Sequence, residues 1–324
     1  PGDLKVGPTA GSLLNGSDSN TGALSVTFVA TSATTYISLG IGPGAGVGQT
    51  RDFDDVAFVG VTGNIHSLVA YHGLTTNKLF AATDTAVYDV TATGPFGAAV
   101  ISGLTNGYWK SVMMATSGGN FLWMCNGADS ARAFDGAAWS TPAITGATSS
   151  TLIYPIIHKR RIWAIQKDTL DLWYLPVDSI AGAMAKFPVG PLFKKGGKLV
   201  AIGTWTLDSG TGIDDLFVIV TSNGEIAVYQ GTDPASASTW ALVATFEVSK
   251  PIGDKPLLDY GGDLLYLSAT GVFPLSRLRQ GSFNDASSNY SYNIDGAFVD
   301  AAEDFGSIYG WQMITHKSAN LLLV

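Results

Sequence analysis

A short unit recurs along most of this chain and limits its fold more than any other feature. A polar residue opens a run of large apolar side chains, a turn follows, and a second strand ends on an aromatic or apolar group. The copies read Lys78-Leu79-Phe80-Ala81 with Val87-Tyr88, Asn120-Phe121-Leu122-Trp123 with Ala133-Phe134, and Arg161-Ile162-Trp163-Ala164 with Leu172-Trp173-Tyr174. They continue with Asp215-Leu216-Phe217-Val218 and Ala227-Val228-Tyr229, then Asp263-Leu264-Leu265-Tyr266 and Gly271-Val272-Phe273. A sixth start is Asn320-Leu321-Leu322-Leu323. The first two intervals are close to the roughly 40–45 residues of a four-stranded blade, and the longer later ones imply loop insertions. One such sheet cannot bury both faces, whereas copies stacked around an axis cover each other and protect most edges. The expected fold is all-β: a β-propeller of about six blades, although two stacked sheets fit the same pattern. The last copy stops inside a strand. The final blade is therefore expected to be completed by further chain or by another segment that closes the ring.

The turns agree with this reading. Ser222-Asn223-Gly224 supplies the Asn-Gly pair that accepts positive φ. Ala269-Thr270-Gly271 and Thr83-Asp84-Thr85 occupy the equivalent place in their copies. Helical periodicity is scarce: only residues 178–186 read as a helix, with Asp178 or Ser179 as N-cap.

Residues 1–62 do not carry the repeat. Residues 1–19 read as a Gly/Ser/Asn-rich loop, and strands are expected at 23–31, 36–39 and 55–61, with a flexible glycine loop at 40–48. The division is thus a small N-terminal β segment, part of a sandwich, over 1–62, and the propeller over 63–324.

Charged residues make up only 14% of the chain and the net charge is −8. A DNA-gripping protein is usually cationic, because phosphate neutralisation supplies most of its affinity. An acidic wall still lets DNA pass without sticking. The single cysteine, Cys125, allows no internal disulfide and reads as a buried apolar residue. No apolar run reaches the roughly 18 residues of a membrane-spanning helix.

No motif points to catalysis or a cofactor. The glycines at 40–46 miss the phosphate-loop spacing and no helix follows them. His66, His72, His158 and His316 have no zinc spacing. His158 reads as part of a solvated cationic loop, 158–161, whose charge lowers its pKa. The acidic stretches 52–55 and 208–215 offer oxygen ligands to Ca²⁺, but neither follows the EF-hand pattern. No catalytic residue and no metal site is assigned. The candidate interaction residues are the basic groups Lys159, Arg160, Arg161, Lys194, Lys195 and Lys198, which form a solvated face or a contact with an acidic neighbour or nucleic acid. Trp139 and Trp240 join them because they lie in turn-rich sequence and are expected to be exposed.

Three segments carry a resemblance. They are His158-Lys159-Arg160-Arg161-Ile162-Trp163 with Trp173-Tyr174-Leu175-Pro176-Val177-Asp178, then Gly197-Lys198-Leu199-Val200-Ala201-Ile202-Gly203-Thr204-Trp205, and Val228-Tyr229-Gln230-Gly231-Thr232-Asp233-Pro234 with Tyr260-Gly261-Gly262-Asp263-Leu264 downstream. Residues 63–324 resemble the tail nozzle, or tail hub, structural proteins of short-tailed bacteriophages and their prophage homologues. The resemblance implies a non-enzymatic virion protein, assembled in the host cytoplasm as a homo-oligomeric ring, commonly a hexamer. It implies contacts with the portal adaptor and with tail fibres or spikes, and a channel through which genome DNA passes without sequence-specific binding. The N-terminal segment is not covered; around 52–58 it looks more like a carbohydrate-binding sandwich. The alternative reading is a carbohydrate-binding or receptor-binding tail component, carried by Trp139, Trp240 and the 52–55 loop.

Overall fold

The computed structural model describes residues 2–7, 36–41, 64–93, 96–208, 213–279, 289–316 and 321–324. The chain divides into two compact units, Pro1–Gly60 with Ala92–Gly97, and Val61–Thr91 with Ala98–Val324. In the first unit β1 (Gly2–Gly7) pairs antiparallel with β2 (Tyr36–Ile41), Leu4 opposite Leu39 and Val6 opposite Ile37. Strand β1 corrects the expectation of loop over its residues. Leu4 and Val6 alternate with Asp3 and Lys5, a strand period hidden between glycines. The strands expected at 23–31 and 55–61, most of the 40–48 loop and the acids at 52–55 lie outside the described residues.

The second unit is a β-propeller. Blade one is the meander β3 (Ser67–His72), β4 (Asn77–Ala82), β5 (Ala86–Asp89) and β6 (Ile101–Ser102). Blade two is β7 (Lys110–Thr116), β8 (Gly119–Cys125), β9 (Arg132–Phe134) and β10 (Trp139–Ser140). After β11 (Ile144–Thr145), blade three runs β12 (Leu152–His158), β13 (Arg161–Gln166) and β14 (Asp171–Tyr174). Its chain then forms β15 (Gly182–Ala183), which pairs parallel with β11, and the outer strand β16 (Ala185–Pro188). Blade four is β17 (Leu199–Asp208), β18 (Ile213–Thr221), β19 (Glu225–Gly231) and β20 (Trp240–Glu247). Blade five has three strands, β21 (Leu257–Tyr260), β22 (Asp263–Ser268) and β23 (Gly271–Pro274). Then come α1 (Ser276–Arg279), α2 (Asp295–Phe305) and the pair β24 (Ile314–His316) and β25 (Leu321–Leu323).

Five of the six copies read from sequence are the second and third strands of the five blades; the sixth start, at Leu321–Leu323, is β25, paired antiparallel with β24. Second strands are continuous apolar runs because both of their faces are buried. Alternate side chains enter different cores. On β8, Leu122 and Met124 join Val69 and Phe80 of blade one, while Trp123 and Cys125 join Ile162 and Ala164 of blade three. On β13, Trp163 and Ile165 turn instead toward Phe217 of blade four. On β22, Leu264 and Tyr266 face blade four, and Leu265 and Leu267 pack with Phe298 of α2. Period-two alternation thus feeds two interblade cores from one strand, which is how the blades stack.

The expected turns sit where the pattern put them: Asn223-Gly224 joins β18 to β19 with Gly224 at φ +78°. The helix read over 178–186 is corrected. Asp178 holds φ +53°, Gly182 pairs with Ile144, and Ala185 and Lys186 pair with Tyr174 and Trp173. Sheet pairing overrides a local helical preference. The longer helix that does form, α2, was not expected. Among the described residues no fourth strand of blade five follows β23; Asn289 and Ser291, both buried, turn their side-chain oxygens to the Val272 N–H at 3.2 and 3.3 Å. Polar side chains thereby satisfy an edge that would otherwise be open.

Candidate functional site

The basic residues chosen from sequence gather near the junction of blades three and four, but carboxylates already neutralise most of them. Lys159 lies 3.0 Å from Asp215, Arg161 3.3 Å from Asp233, Lys195 2.8 Å from Glu247 and Lys198 2.6 Å from Asp168. Arg160 pairs with Asp178. The backbone N–H groups of Lys194 and Lys195 both donate to the Glu225 carboxylate at 2.9 Å. The cluster is therefore a set of interblade ties with little free charge for phosphate. Asp215, within the candidate 208–215 cation loop, is committed to Lys159 and Thr206. Residues 209–212 of that loop lie outside the described residues.

Two further expectations are corrected. Trp240 is buried, stacked 5.7 Å from Trp163 and 5.7 Å from Tyr229, because β20 turns it into the blade three–four core. Trp139 is half-buried, packed edge-on to Phe80 at 4.9 Å. His158 is not in a solvated loop: it ends β12 and is 2% exposed. Burial, helped by the Lys159 charge and opposed by Asp215, pushes its pKa down to about 4. Cys125 is buried as expected, and burial raises its thiol pKa.

The site that sequence reasoning missed lies at the seam where the segment before β21 and the chain after blade five meet blades one and two. Lys110, first residue of β7, donates to the backbone oxygen of Asp254 and sits 3.0 Å from its carboxylate, with its ammonium 4.4 Å from the Tyr154 ring centre. Burial lowers the Lys110 pKa, and the Asp254 charge opposes that fall. Beside this pair Tyr309 lies 4.1 Å from Tyr108, centre to centre, and Tyr108 lies 4.7 Å from His66. The His66 imidazole is 2.8 Å from the Asp84 carboxylate. Lys255 bridges to Gln312 through the backbone and through a 3.3 Å side-chain bond. Beside these groups opens a pocket of about 320 Å³ whose walls include Ile65, Leu68, Asp254, Lys255, Tyr309 and Gln312. Of the charged groups on its walls, Asp254 is paired with Lys110, and Lys255 bonds to the neutral Gln312 amide. Among the described residues no group of three or more His, Cys, Asp or Glu side chains converges on a metal position.

Asp254→Ala should cost about 3 kcal/mol, the low end for removing one partner of a buried ion pair, because it leaves the Lys110 ammonium buried without its counter-charge. Lys110→Met, which replaces that charge with an apolar chain of similar length, should cost less. Urea midpoints of the two variants check this order. Equal losses would show that the pair does not hold the seam.

No protein-family model matches this sequence, and no curated protein matches it. Among solved structures the chain is similar to BBS1N in its complex with ARL6DN, at 12% identity over 65% of this chain and 64% of that one, with a TM-score of 0.46. It is also similar to YCF48 from Cyanidioschyzon merolae, at 12% identity over 61% and 65%, TM-score 0.38. A third similarity is to the SapL1 lectin in complex with alpha methyl fucoside, at 15% identity over 64% and 76%, TM-score 0.32. The chain thus spans about two thirds of the BBS1N and YCF48 chains it matches. At these scores the blade assignment stands on the sheets and their interblade cores. Among the described residues no helix is long and apolar enough to cross a membrane.

Proposed function

We propose that this chain is a virion structural subunit of the tail-nozzle class, which works as a member of a homo-oligomeric ring. The observation that carries this reading is where apolar surface remains uncovered. Among the described residues, nine of the eighteen large apolar side chains that stay exposed fall between Tyr290 and Val324, including Ile294, Phe305 and Ile308. Exposed apolar residues scattered singly are ordinary, whereas half of those here come from one stretch of chain, which supports an interaction surface there. The outer strand β20 adds to it: eight residues long, with Leu242 and Val243 exposed. Long apolar outer edges invite pairing with another chain. The net charge of −8 and the internally paired basic groups suit a channel wall past which DNA moves without being held. The portal adaptor and the fibres or spikes are the partners this class implies.

Light scattering on the purified protein, followed by electron microscopy, tests the reading. The expected result is a closed ring, a hexamer, with a central channel wide enough for duplex DNA. A protein that stays monomeric at high concentration and has no affinity for phage tail components would overturn it. Of the residues that motivated the glycan-binding alternative, Trp240 is buried, Trp139 is half-buried, and the 52–55 loop lies outside the described residues.

A further inference from the structure

On the wall of the seam pocket Asp254 is matched by Lys110, but Lys255 has no carboxylate partner among the described residues. Its ammonium donates instead to the Gln312 side-chain oxygen at 3.3 Å. With that oxygen turned to Lys255, both N–H donors of the Gln312 amide stay unused among the described residues. The backbone keeps the two side chains together. An isolated parallel bridge joins Lys255 to Gln312, and Gly253, at φ +71°, lets the two segments touch. A methyl group at Gly253 would meet the Trp311 Cβ at 2.5 Å and its backbone oxygen at 2.6 Å. The charges do not cancel here. Burial is the main cause of the lowered Lys110 pKa, Asp254 opposes it, and the Lys255 charge lowers it further. Two ammonium groups thus act at one carboxylate. His66 lines the pocket too, but its Nε2 is 2.8 Å from Asp84, which is not on the wall. Ile65, Leu68 and Tyr309 give the remaining wall its apolar surface.

We propose that the seam pocket binds an organic carboxylate, with the Lys255 ammonium and the Gln312 amide each donating to one of its oxygens. The site does not depend on the ring reading and holds whether or not the chain assembles. Adjacent donors match the two oxygens of a carboxylate, and a charged donor makes the hydrogen bonds shorter and stronger. Binding gives Lys255 the counter-charge it lacks and leaves the Lys110–Asp254 pair in place. Asp254 repels an incoming anion, and Lys110, 3.0 Å from it, offsets that repulsion. The offset suits one negative charge; a dianion such as phosphate would meet a single unmatched ammonium with Asp254 beside it. Ile65, Leu68 and the Tyr309 ring favour an apolar or aromatic body on the ligand. A volume of about 320 Å³ is at the small end of ligand sites, so that body is a single ring or a short chain.

The test titrates the full chain with benzoate, and with benzamide as the uncharged molecule of the same shape, by NMR. Benzoate should bind with a Kd of about 1 mM or tighter, and benzamide at least about tenfold more weakly. Lys255→Met should weaken benzoate binding by at least about tenfold, the loss of the charged donor. Gln312→Glu puts a carboxylate beside Lys255 and should weaken benzoate by at least as much. Its thermal midpoint should be unchanged or higher, so that loss cannot come from unfolding. N-acetylphenylalanine, which carries the carboxylate of a chain end, separates the two sources of the ligand. Binding at least about tenfold tighter than benzoate assigns the pocket to a chain terminus, and binding no tighter assigns it to a free acid. Absence of benzoate binding in the millimolar range overturns the proposal. So does equal binding of benzamide, or benzoate binding that survives both substitutions.

Discussion

Trp163→Ala should lower the unfolding free energy by about 4 kcal/mol, the middle of the range for truncating a buried aromatic. Trp163 is fully buried on β13 and forms the centre of the blade three–four core. Its ring lies 4.7 Å from Tyr174 in its own blade, and 4.5 Å from Phe217 and 5.7 Å from Trp240 in the next. Removal therefore leaves a cavity that backbones on two sheets cannot easily close, and it removes aromatic contacts worth more than their area. Trp163→Phe keeps most of the filling and should cost well under half as much. Equilibrium urea unfolding checks both, with the midpoint expected to move at constant slope. A loss below about 1 kcal/mol for the alanine variant would mean that the blades do not depend on this junction.

Trp163 was legible in the sequence because it stands in a second strand. Such strands are buried on both faces, so their apolar residues run without interruption and survive as a signal. The first strands were harder to find. Strand β7 reads Lys-Ser-Val-Met-Met-Ala-Thr and is only partly buried along most of its length, so neither strict alternation nor a continuous run marks it. Outer strands such as β6 and β10 are two residues long, shorter than any periodicity. The helix α2 escaped because it contains Gly296 and buries only Phe298, too little to draw an apolar stripe.

The candidate site was legible in reverse proportion to the sequence distance it spans. The basic runs at 159–161 and 194–198 are local and easy to see, but their meaning lies in carboxylates elsewhere: Asp215 is 56 residues from Lys159 and Asp233 is 72 from Arg161. Without those partners the runs look like a free cationic face. Lys110 and Asp254 are 144 residues apart. Each is a single charge beside a turn or strand end, and only closure of the ring brings them together. The seam pocket has no local sequence signature, because its walls come from both ends of the propeller.

The stability of the protein should fall as the pH drops from 6.5 toward 4, and His158 should be a main cause. The Thr204 hydroxyl donates to the Ile157 oxygen at 3.3 Å, so it accepts from the His158 Nδ1–H at 3.0 Å. That fixes the neutral tautomer with the Nε2 lone pair directed away from Thr204. Among the described residues Nε2 has no hydrogen-bond partner, and the ring packs edge-on to Phe217 at 5.0 Å and Trp240 at 5.7 Å. Protonation would place an N–H and a positive charge among aromatic side chains, close to the Lys159 ammonium. The folded pKa accordingly drops from 6.5 to about 4. Between those two values the unfolded chain binds a proton that the folded chain refuses, so stability rises with pH across the window. It is complete above 6.5 and falls by about 3 kcal/mol once the pH passes below 4, at about 1.4 kcal/mol per pH unit. His158→Gln keeps a donor for Thr204 but cannot titrate. Its stability should be lower at pH 7, through lost ring packing, and its pH dependence between 4 and 6.5 should be shallower than that of the wild type by up to one proton. Urea titrations at four pH values for both proteins give the comparison, and parallel pH profiles would exclude His158 as the group responsible.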